Sequence, residues 1–315
     1  MKTAAFPYLS DFVKALTGFD LPLPLPMFGL MVASALLVSI WVASGELKRL
    51  HEAGLIGLAQ RSVKGRDGRR VEEFVPPEGI VGEFSTIVVI VGIIGARIFH
   101  LLEHPREFAA GPWEMIFSRS GFSVLGGLIF GAVAGAIYVK RRGLPIRVVC
   151  DAVAPALMLG YAIGRIGCQL SGDGDWGIRA NMAIKPDWVP IWLWAQTYDN
   201  NIIGVTIPPP GVYPAPVFET LMALAGFAVL WSVRKHPFRA GWLFALYLLL
   251  GGAERLLIER IRVNPVFHVL GVSATQAEIV SVVLIVLGIA GLASLSRKFR
   301  LTPDPGALNN GHVRS

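Results

Sequence analysis

The chain has 315 residues, of which 53% are hydrophobic and only 16% are charged, and its mean hydropathy is +0.57. Soluble domains carry roughly 25% charged residues, so this composition excludes an ordinary soluble protein and indicates a polytopic membrane protein. The net charge of +7 does not indicate a nucleic-acid partner, because the basic residues lie in short runs between apolar segments, as in cytoplasmic loops. The two cysteines, Cys150 and Cys168, fit no metal-binding or disulfide framework.

The apolar segments predict an all-α fold with seven transmembrane helices. The amphipathic, proline-rich stretch 8–26 precedes them, and we expect it to lie at the membrane interface rather than to span. Each later segment is near the roughly 20 residues that a crossing needs, and only helices satisfy the backbone in hydrocarbon at this composition. The predicted spans are residues 27–44, 83–103, 122–140, 148–169, 216–233, 240–259 and 274–295.

The basic residues predict the orientation of these spans. Most of the 29 lysines and arginines lie in the loops after spans one, three and five and in the C-terminal tail, all on one side of a seven-span topology. The positive-inside rule places that side in the cytoplasm, so the N-terminus is expected outside and the C-terminus inside. We expect residues 1–300 to form a single transmembrane domain and residues 301–315, rich in Pro, Gly and Asn, to be a disordered cytoplasmic tail.

The longest predicted outer segment is 170–215. It is rich in tryptophan, proline, asparagine and aspartate. Tryptophans favour the headgroup layer of a bilayer, so we expect this segment to lie along the outer membrane surface as a small cap.

Three arginines are predicted at the same membrane depth. Arg165 lies about 27 Å along a helix beyond Arg147, and Arg255 lies about 24 Å beyond Arg239. Arg97, late in the second span, reaches a similar outer position. One interpretation is that such arginines pair with carboxylates to fix helix packing. Three at one depth favour an anion site, and a guanidinium cluster suits a phosphate, which in an outer leaflet is most simply a phospholipid headgroup.

Neighbouring residues support this interpretation. Arg255, Glu259 and Arg262 are spaced to share one helix face, with the carboxylate between the two guanidiniums. Glycines cluster in the run from Gly164 to Gly177 and at the start of span three. They permit close approach of a ligand, although by themselves they would indicate only tight helix packing.

The run from Gly164 to Gly177 resembles the signature of the prolipoprotein diacylglyceryl transferase family, Gly-Arg-x-Gly-Asn-Phe-x-Asn-x-Glu-x-x-Gly at the end of the fourth span. Gly95-Ala96-Arg97 resembles the family's Gly-(Ala/Gly)-Arg, and the segment from Arg255 to Arg262 resembles its Arg-x-x-x-Glu-x-x-Arg. The segments 28–31 and 213–219 and the residue Gln276 also fit the family pattern. The resemblance covers nearly the whole chain.

The resemblance implies transfer of diacylglyceryl from phosphatidylglycerol to the lipobox cysteine of a preprolipoprotein, in the inner membrane of a bacterium. The partners implied are phosphatidylglycerol and the signal peptide of the precursor, with no metal and no cofactor. Arg165 and Arg255 would bind the phosphate, and Glu259 and Arg262 would orient Arg255. The further site residues implied are Asp173 and Asp175 in the catalytic set and Arg97, Arg262, Gly126, Gly127 and Gly167 in the phosphatidylglycerol site.

The chain departs from the family pattern where a proton must be handled. The family's Ser-Phe-His-Gly-Gly is the segment 123–127 here, with Leu125 in place of the histidine. Phe28 replaces a tyrosine, Cys168 replaces the signature asparagine, and the glutamate region is shifted by one residue. The candidate substitutes that could take the proton are Asp173, Asp175, Glu219 and His100. One alternative is a catalytically altered or inactive relative that binds phospholipid or lipoprotein precursor. The other is an unrelated transporter, which ranks last because transporter binding sites are typically formed by broken helices and no span here is strongly broken at its centre.

Overall fold

A computed structural model describes residues 4–64, 70–118, 121–262, 266–269 and 272–296. The predicted disordered tail, 301–315, lies outside these residues. In the described part the α-helices are α1 Leu9–Thr17, α2 Met27–Glu52, α3 Val81–Glu103, α4 Pro105–Ala110, α5 Pro112–Phe117, α6 Val124–Arg141, α7 Ile146–Ser171, α8 Ile191–Trp194, α9 Ala215–Val233, α10 Trp242–Glu259 and α11 Gln276–Leu295.

Two short antiparallel hairpins accompany the helices. Strand β1 (Ala59–Lys64) pairs with β2 (Arg70–Val75), and β3 (Val266–Val269) pairs with β4 (Val272–Thr275). The sequence analysis predicted no strands, because both hairpins are local features of loops that a search for long apolar segments does not register.

Among the described residues, six helices are long and apolar enough to cross a membrane: α2, α3 with the 3₁₀ turn before it, α6, α7, α9 and α11. They begin and end within a few residues of the predicted spans, except that α2 continues to Glu52. The remaining predicted span, the sixth at 240–259, corresponds to α10, whose 18 residues include Glu254, Arg255 and Glu259. The prediction of a helical, polytopic membrane protein is confirmed, whereas the count of seven spans and the orientation stay predictions.

The long helices present apolar side chains on their outer faces. In α11, Val283, Val286 and Leu287 are 50%, 58% and 54% exposed. Such faces would be costly in water, but hydrocarbon solvates them without penalty. The exposed apolar surface is therefore the surface expected to meet lipid.

The described part of the chain divides into two compact units, the first formed by residues 4–42 with the described residues of 153–296 and the second by the described residues of 43–152. In the first unit, α7, α9 and α10 share a core that includes Met158, Leu230 and Leu243. Helices α10 and α11 approach backbone to backbone, since a Cβ on Gly288 would lie 2.7 Å from the amide nitrogen of Leu249. Small residues at such crossings let membrane helices pack closely.

In the second unit, α3 and α6 form a comparable antiparallel pair. Gly131 of α6 faces Val88 of α3, and Gly135, one turn later, faces Phe84. A Cβ added to Gly95 of α3 would lie only 2.2 Å from the Cβ of Phe130. The glycines of this pair therefore set the distance between the helices.

The predicted outer segment folds compactly within the first unit. Short bridges join Arg179 and Gln196 to Val212, and the N-terminal segment adds to it through a hydrogen bond of 2.6 Å from Ala5 N to the Asp199 carbonyl. No residue of the preceding amphipathic helix α1 is buried. The expected positions of α1 and of this segment at the membrane surface stay predictions.

Candidate active site

Three arginine side chains of the first unit surround one carboxylate, that of Glu219 in α9. Glu219 is completely buried. Its Oε2 lies 3.3 Å from Arg165 Nε, and its Oε1 lies 3.5 Å from Arg255 Nη1 and 3.7 Å from Arg262 Nη1. A buried carboxylate stays ionised only when it is paired, so Glu219 and the three guanidiniums stabilise one another.

Arg165 is held by contacts along α7 and from the following loop. Its Nε donates to the Tyr161 hydroxyl at 3.2 Å, and its Nη1 donates to Asp175 and to the Cys168 sulfur, the latter at 3.5 Å. Tyr161 in turn donates its hydroxyl proton to Glu219 Oε1 at 3.1 Å. Because Tyr161 and Cys168 lie four residues before and three residues after Arg165, all three side chains share one face of the helix.

Asp175 joins Arg165 to Arg262. One carboxylate oxygen accepts from Arg165 Nη1, and the other accepts from Arg262 Nη2 at 2.6 Å. Burial raises the pKa of Asp175, but the hydrogen bond from Arg262 and the charges of both arginines outweigh this effect and hold the pKa at about 2. Asp175 is therefore ionised at neutral pH and is a weak base.

The loop that carries Asp175 depends on left-handed backbone positions. Gly172 and Gly174 have φ of +61° and +98°, a region that glycine adopts without steric cost. Between them, Asp173 accepts the backbone N–H of Asp175 on its Oδ1 at 3.2 Å. This contact makes Asp173 a residue that shapes the loop, as aspartates commonly do in turns.

The helical face predicted for Arg255, Glu259 and Arg262 is not continuous, because α10 ends at Glu259. Arg262 lies instead in a short antiparallel bridge with Gly177. From this position its guanidinium reaches Asp175 and is 11% exposed. The loop after α7 and the turn after α10 are thus joined both by the backbone bridge between Gly177 and Arg262 and by the ion pair between Asp175 and Arg262.

Arg255 and Glu259 do share a face of α10. Arg255 Nη2 lies 3.1 Å from Glu259 Oε2, a close ion pair, and Glu259 Oε1 accepts from the Thr275 hydroxyl at 2.6 Å. Thr275 also caps α11 by accepting the backbone N–H of Glu278. Arg255 is the most exposed of the three arginines, at 26%. Its contacts are those expected of a residue oriented by Glu259 that still faces outward.

Two members of the cluster were missed by the sequence analysis, Tyr161 and Glu254. Tyr161 places its hydroxyl between Arg165 and Glu219. Glu254 is only 6% exposed and interacts electrostatically with Glu219, Arg165 and Arg255. Its Oε1 finds no hydrogen-bond partner among the residues that the structure describes. The signal for Glu254 was available, since an ionisable residue inside a predicted span is a functional hypothesis by default.

Arg97 belongs to the second unit. Its Nε donates to the Ile116 carbonyl at 3.2 Å, its Nη1 to the Gly121 carbonyl at 2.7 Å and its Nη2 to the Ser118 carbonyl. The guanidinium also lies over the Phe122 ring, 5.0 Å from its centroid. Arg97 therefore anchors the segment before α6, and its predicted contact with phosphate stays a prediction.

Two of the three predicted site glycines lie at close helix contacts. A Cβ on Gly126 would lie 2.2 Å from the Cβ of Phe99, and one on Gly167 would lie 2.9 Å from the Cβ of Met31. Gly127 is less constrained, with the nearest atoms at 3.5 Å. Helix packing alone accounts for Gly126 and Gly167, so their role in lipid binding stays a prediction.

Cys168, Asp173 and Asp175 offer three possible metal ligands within 4.8 Å of one another. A cation there would compete with Arg165 and Arg262 for the same carboxylate of Asp175. Two guanidiniums already pair with that group, so a metal ion would have to displace them to bind it.

The sequence matches the family model of the prolipoprotein diacylglyceryl transferases over residues 16–294. The chain belongs to this family. It is similar to the phosphatidylglycerol–prolipoprotein diacylglyceryl transferase of Bacillus cereus, with 27% identity over 244 residues that cover 77% of this chain and 78% of the relative. Proteins of the same name from Bacillus anthracis and Bacillus mycoides are 27% and 26% identical over the same length.

In this member of the family, the run from Gly164 to Gly177 supplies both Arg165 and Asp175 to the cluster. Leu125, which stands where the family pattern has a histidine, lies half-buried on the first turn of α6. Cys168, which stands where the family pattern has an asparagine, is buried, and its sulfur accepts a hydrogen bond from Arg165. The arginine cluster is thus complete in a family member that lacks the expected histidine.

Proposed function

We propose that this protein transfers the diacylglyceryl group of phosphatidylglycerol to the cysteine thiol of a preprolipoprotein. Membership of the family and the names of the relatives support the reaction. The observation that carries the proposal for the site is the set of three arginines held around Glu219. Guanidiniums fixed in a low-dielectric site stabilise the charge that develops on a leaving phosphate.

The reaction balances without a metal or an external cofactor. The cysteine sulfur forms a bond to the terminal glycerol carbon of the diacylglyceryl group, and the bond from that carbon to the phosphate oxygen breaks. Glycerol phosphate leaves with one more negative charge than the phosphodiester had. The extra charge arises because the thiolate attacks without its proton; that proton passes to water or, after the bond has broken, to the released phosphate, which then carries a single charge again. The site must therefore favour the thiolate and the departing phosphate together.

The roles of the cluster follow from exposure and contacts. Arg255 and Arg165 contact the phosphate, with Arg255 the more exposed of the two. Glu259 orients Arg255, and Glu219 positions all three guanidiniums. Asp175 holds Arg165 and Arg262, and its pKa of about 2 argues against a role as the thiol base.

The remaining features of the proposal rest on the sequence. The protein lies in the bacterial inner membrane with its arginine cluster toward the outer face, and its second substrate presents a signal peptide. The contributions of Arg97, Gly126, Gly127 and Gly167 to lipid binding are predictions of the family resemblance.

Complementation tests the proposal. The chain, expressed in a bacterium depleted of its own transferase, should restore lipidation of a lipobox reporter, detected by mass spectrometry of the thioether. Arg165→Ala should abolish lipidation, whereas Arg147→Ala, an exposed arginine on the same helix, should leave it unchanged.

Three outcomes separate the alternatives. A wild-type chain that inserts but does not lipidate the reporter would refute the transferase and favour a relative that only binds phospholipid or precursor. Normal lipidation by Arg165→Ala would refute the phosphate role of this arginine. Loss of lipidation in both variants at reduced protein levels would point to failed folding, so membrane levels are measured in parallel.

A further inference from the structure

A second group of side chains with chemistry of its own lies at the C-terminal end of α3. His100, Glu103 and His104 each offer a ligand atom, and these atoms lie within 4.8 Å of one another. His100 and Glu103 share a face of the last turn of α3, and His104 is the residue that ends the helix, with φ of −123° and its ring against that of His100. Both histidines are half-buried and Glu103 is exposed. We call these three residues the α3 histidine cluster; the roles proposed above do not include them, although the sequence analysis named His100 among the residues that could take the thiol proton.

The hydrogen bonding of His104 fixes which nitrogen can bind a metal. Its Nδ1 lies 3.1 Å from the backbone carbonyl of His100. A carbonyl only accepts, so Nδ1 carries the proton of the neutral ring and Nε2 keeps a free electron pair. Histidines that bind metals characteristically donate their other ring N–H to a carbonyl or carboxylate in this way.

The ring of His100 is held by the segment before α6. Gly121, with φ of +85°, lets this segment approach so closely that a Cβ there would lie 2.3 Å from His100 Nε2. Arg97, one turn earlier on α3, holds Gly121 by its carbonyl. The ring centroids of His100 and His104 are 4.5 Å apart. The two imidazoles are therefore brought together before any ligand binds, which lowers the ordering cost of binding.

We propose that His100, Glu103 and His104 bind a divalent transition-metal ion, with Zn²⁺ as the best match. Two imidazoles and one carboxylate are a known ligand set for zinc, and three protein ligands leave a further position for water. Imidazole nitrogens favour zinc over the oxygen-preferring magnesium and calcium ions. The carboxylate of Glu103 offsets part of the charge of the ion. This inference does not depend on the proposed transferase activity.

The test is a metal titration of the full-length protein in detergent, purified with a histidine-free tag and stripped with chelator. Co²⁺ serves as the spectroscopic probe, and Zn²⁺ is added in competition. We expect one equivalent of Co²⁺ with visible absorption bands of a low-coordinate site, displaced by Zn²⁺. His100→Ala and His104→Ala should each lower the affinity by about 10- to 100-fold or more, since even loss of a residue that only supports a ligand costs that much.

His51→Ala is the matched control. His51 makes the same kind of contact, with Nδ1 3.0 Å from the Ile56 carbonyl, but is not one of the cluster's three residues. Its replacement should leave Co²⁺ binding unchanged. Absence of stoichiometric Co²⁺ binding by the wild type, or equal weakening by His51→Ala, would overturn the proposal.

A second measurement protects the test against variants that fold poorly. Zn²⁺ should raise the thermal unfolding temperature of the wild type and of His51→Ala, because a ligand that binds only the folded state stabilises it. It should not raise that of His104→Gln. An equal rise in His104→Gln, or no rise in the wild type, would also overturn the proposal.

Discussion

Removing the charge of Glu219 should strongly destabilise the first unit. Glu219→Gln keeps the size of the side chain and changes only its charge and donor pattern. At an effective dielectric constant of about 20, each of the three ion pairs, at 3.3 to 3.7 Å, has a gross attraction of roughly 5 kcal/mol. Desolvation cancels much of this, and breaking a buried pair by removing one partner costs about 3–5 kcal/mol net.

Thermal unfolding in detergent, followed by intrinsic fluorescence, measures this effect. A loss of that size should lower the unfolding temperature by on the order of 10 °C. Because membrane proteins in detergent commonly unfold irreversibly, the variants are compared at one scan rate and by their half-lives at a fixed temperature.

Glu254→Gln is the matched control, because Glu254 is also a buried glutamate of the cluster. Burial opposes the charge of Glu254 and Glu219 repels it, effects that together outweigh the attraction of Arg165 and Arg255, and its Oε1 makes no hydrogen bond to a described residue. Its neutral analogue should therefore be as stable as the wild type or more so. If Glu219→Gln lost less than about 1 kcal/mol, or if both variants were equally destabilised, pairing with Glu219 would not be what holds the arginines.

Two further predictions concern the loop and the helix packing. The pKa of Asp175 is about 2, below its ordinary value of 3.8, so its stabilising effect should be complete above about pH 4 and fade as the pH falls toward 2. The unfolding temperatures of the wild type and of Asp175→Asn should therefore differ by a constant amount from pH 8 to pH 5, equivalent to about 1–2 kcal/mol. The two unfolding temperatures should converge below pH 4. A gap that already shrinks between pH 7 and pH 5 would contradict this. Gly126→Ala should lower the free energy of unfolding by about 1–3 kcal/mol in the same assay, because its Cβ would collide with Phe99. Gly45→Ala, whose Cβ would lie in open space on α2, should be neutral or stabilising. Equal effects of the two substitutions would refute the packing argument.

The helices could be predicted from the sequence because hydrocarbon leaves few alternatives. A segment of about 20 apolar residues must satisfy its own backbone, so composition fixes both the type and the length of the element. The same reasoning located Arg165 and Arg255 along their helices. It failed at Arg262, because periodicity shows which residues would share a helix face and not where the helix stops.

The centre of the cluster could not be predicted for a related reason. The sequence analysis named Glu219 as a candidate to take the thiol proton, but its role as the common partner of three arginines depends also on Arg262, and so on how the loop after α7 folds back. That fold requires left-handed backbone at Gly172 and Gly174 and the bridge between Gly177 and Arg262. A glycine in the sequence shows that left-handed backbone is sterically allowed at that position, but it does not show which distant segment will pack against it.

The charge balance of the cluster connects its stability to the proposed chemistry. Among the groups joined by ion pairs, Asp175, Glu219 and Glu259 formally balance Arg165, Arg255 and Arg262, so these pairs can assemble without a bound anion. Arginines already fixed by carboxylates need little reorganisation when a phosphodiester with a single charge arrives. Their attraction grows as the carbon–oxygen bond breaks and the phosphate gains its second charge. An interaction that strengthens in this way lowers the barrier more than it tightens lipid binding, which is the requirement for catalysis.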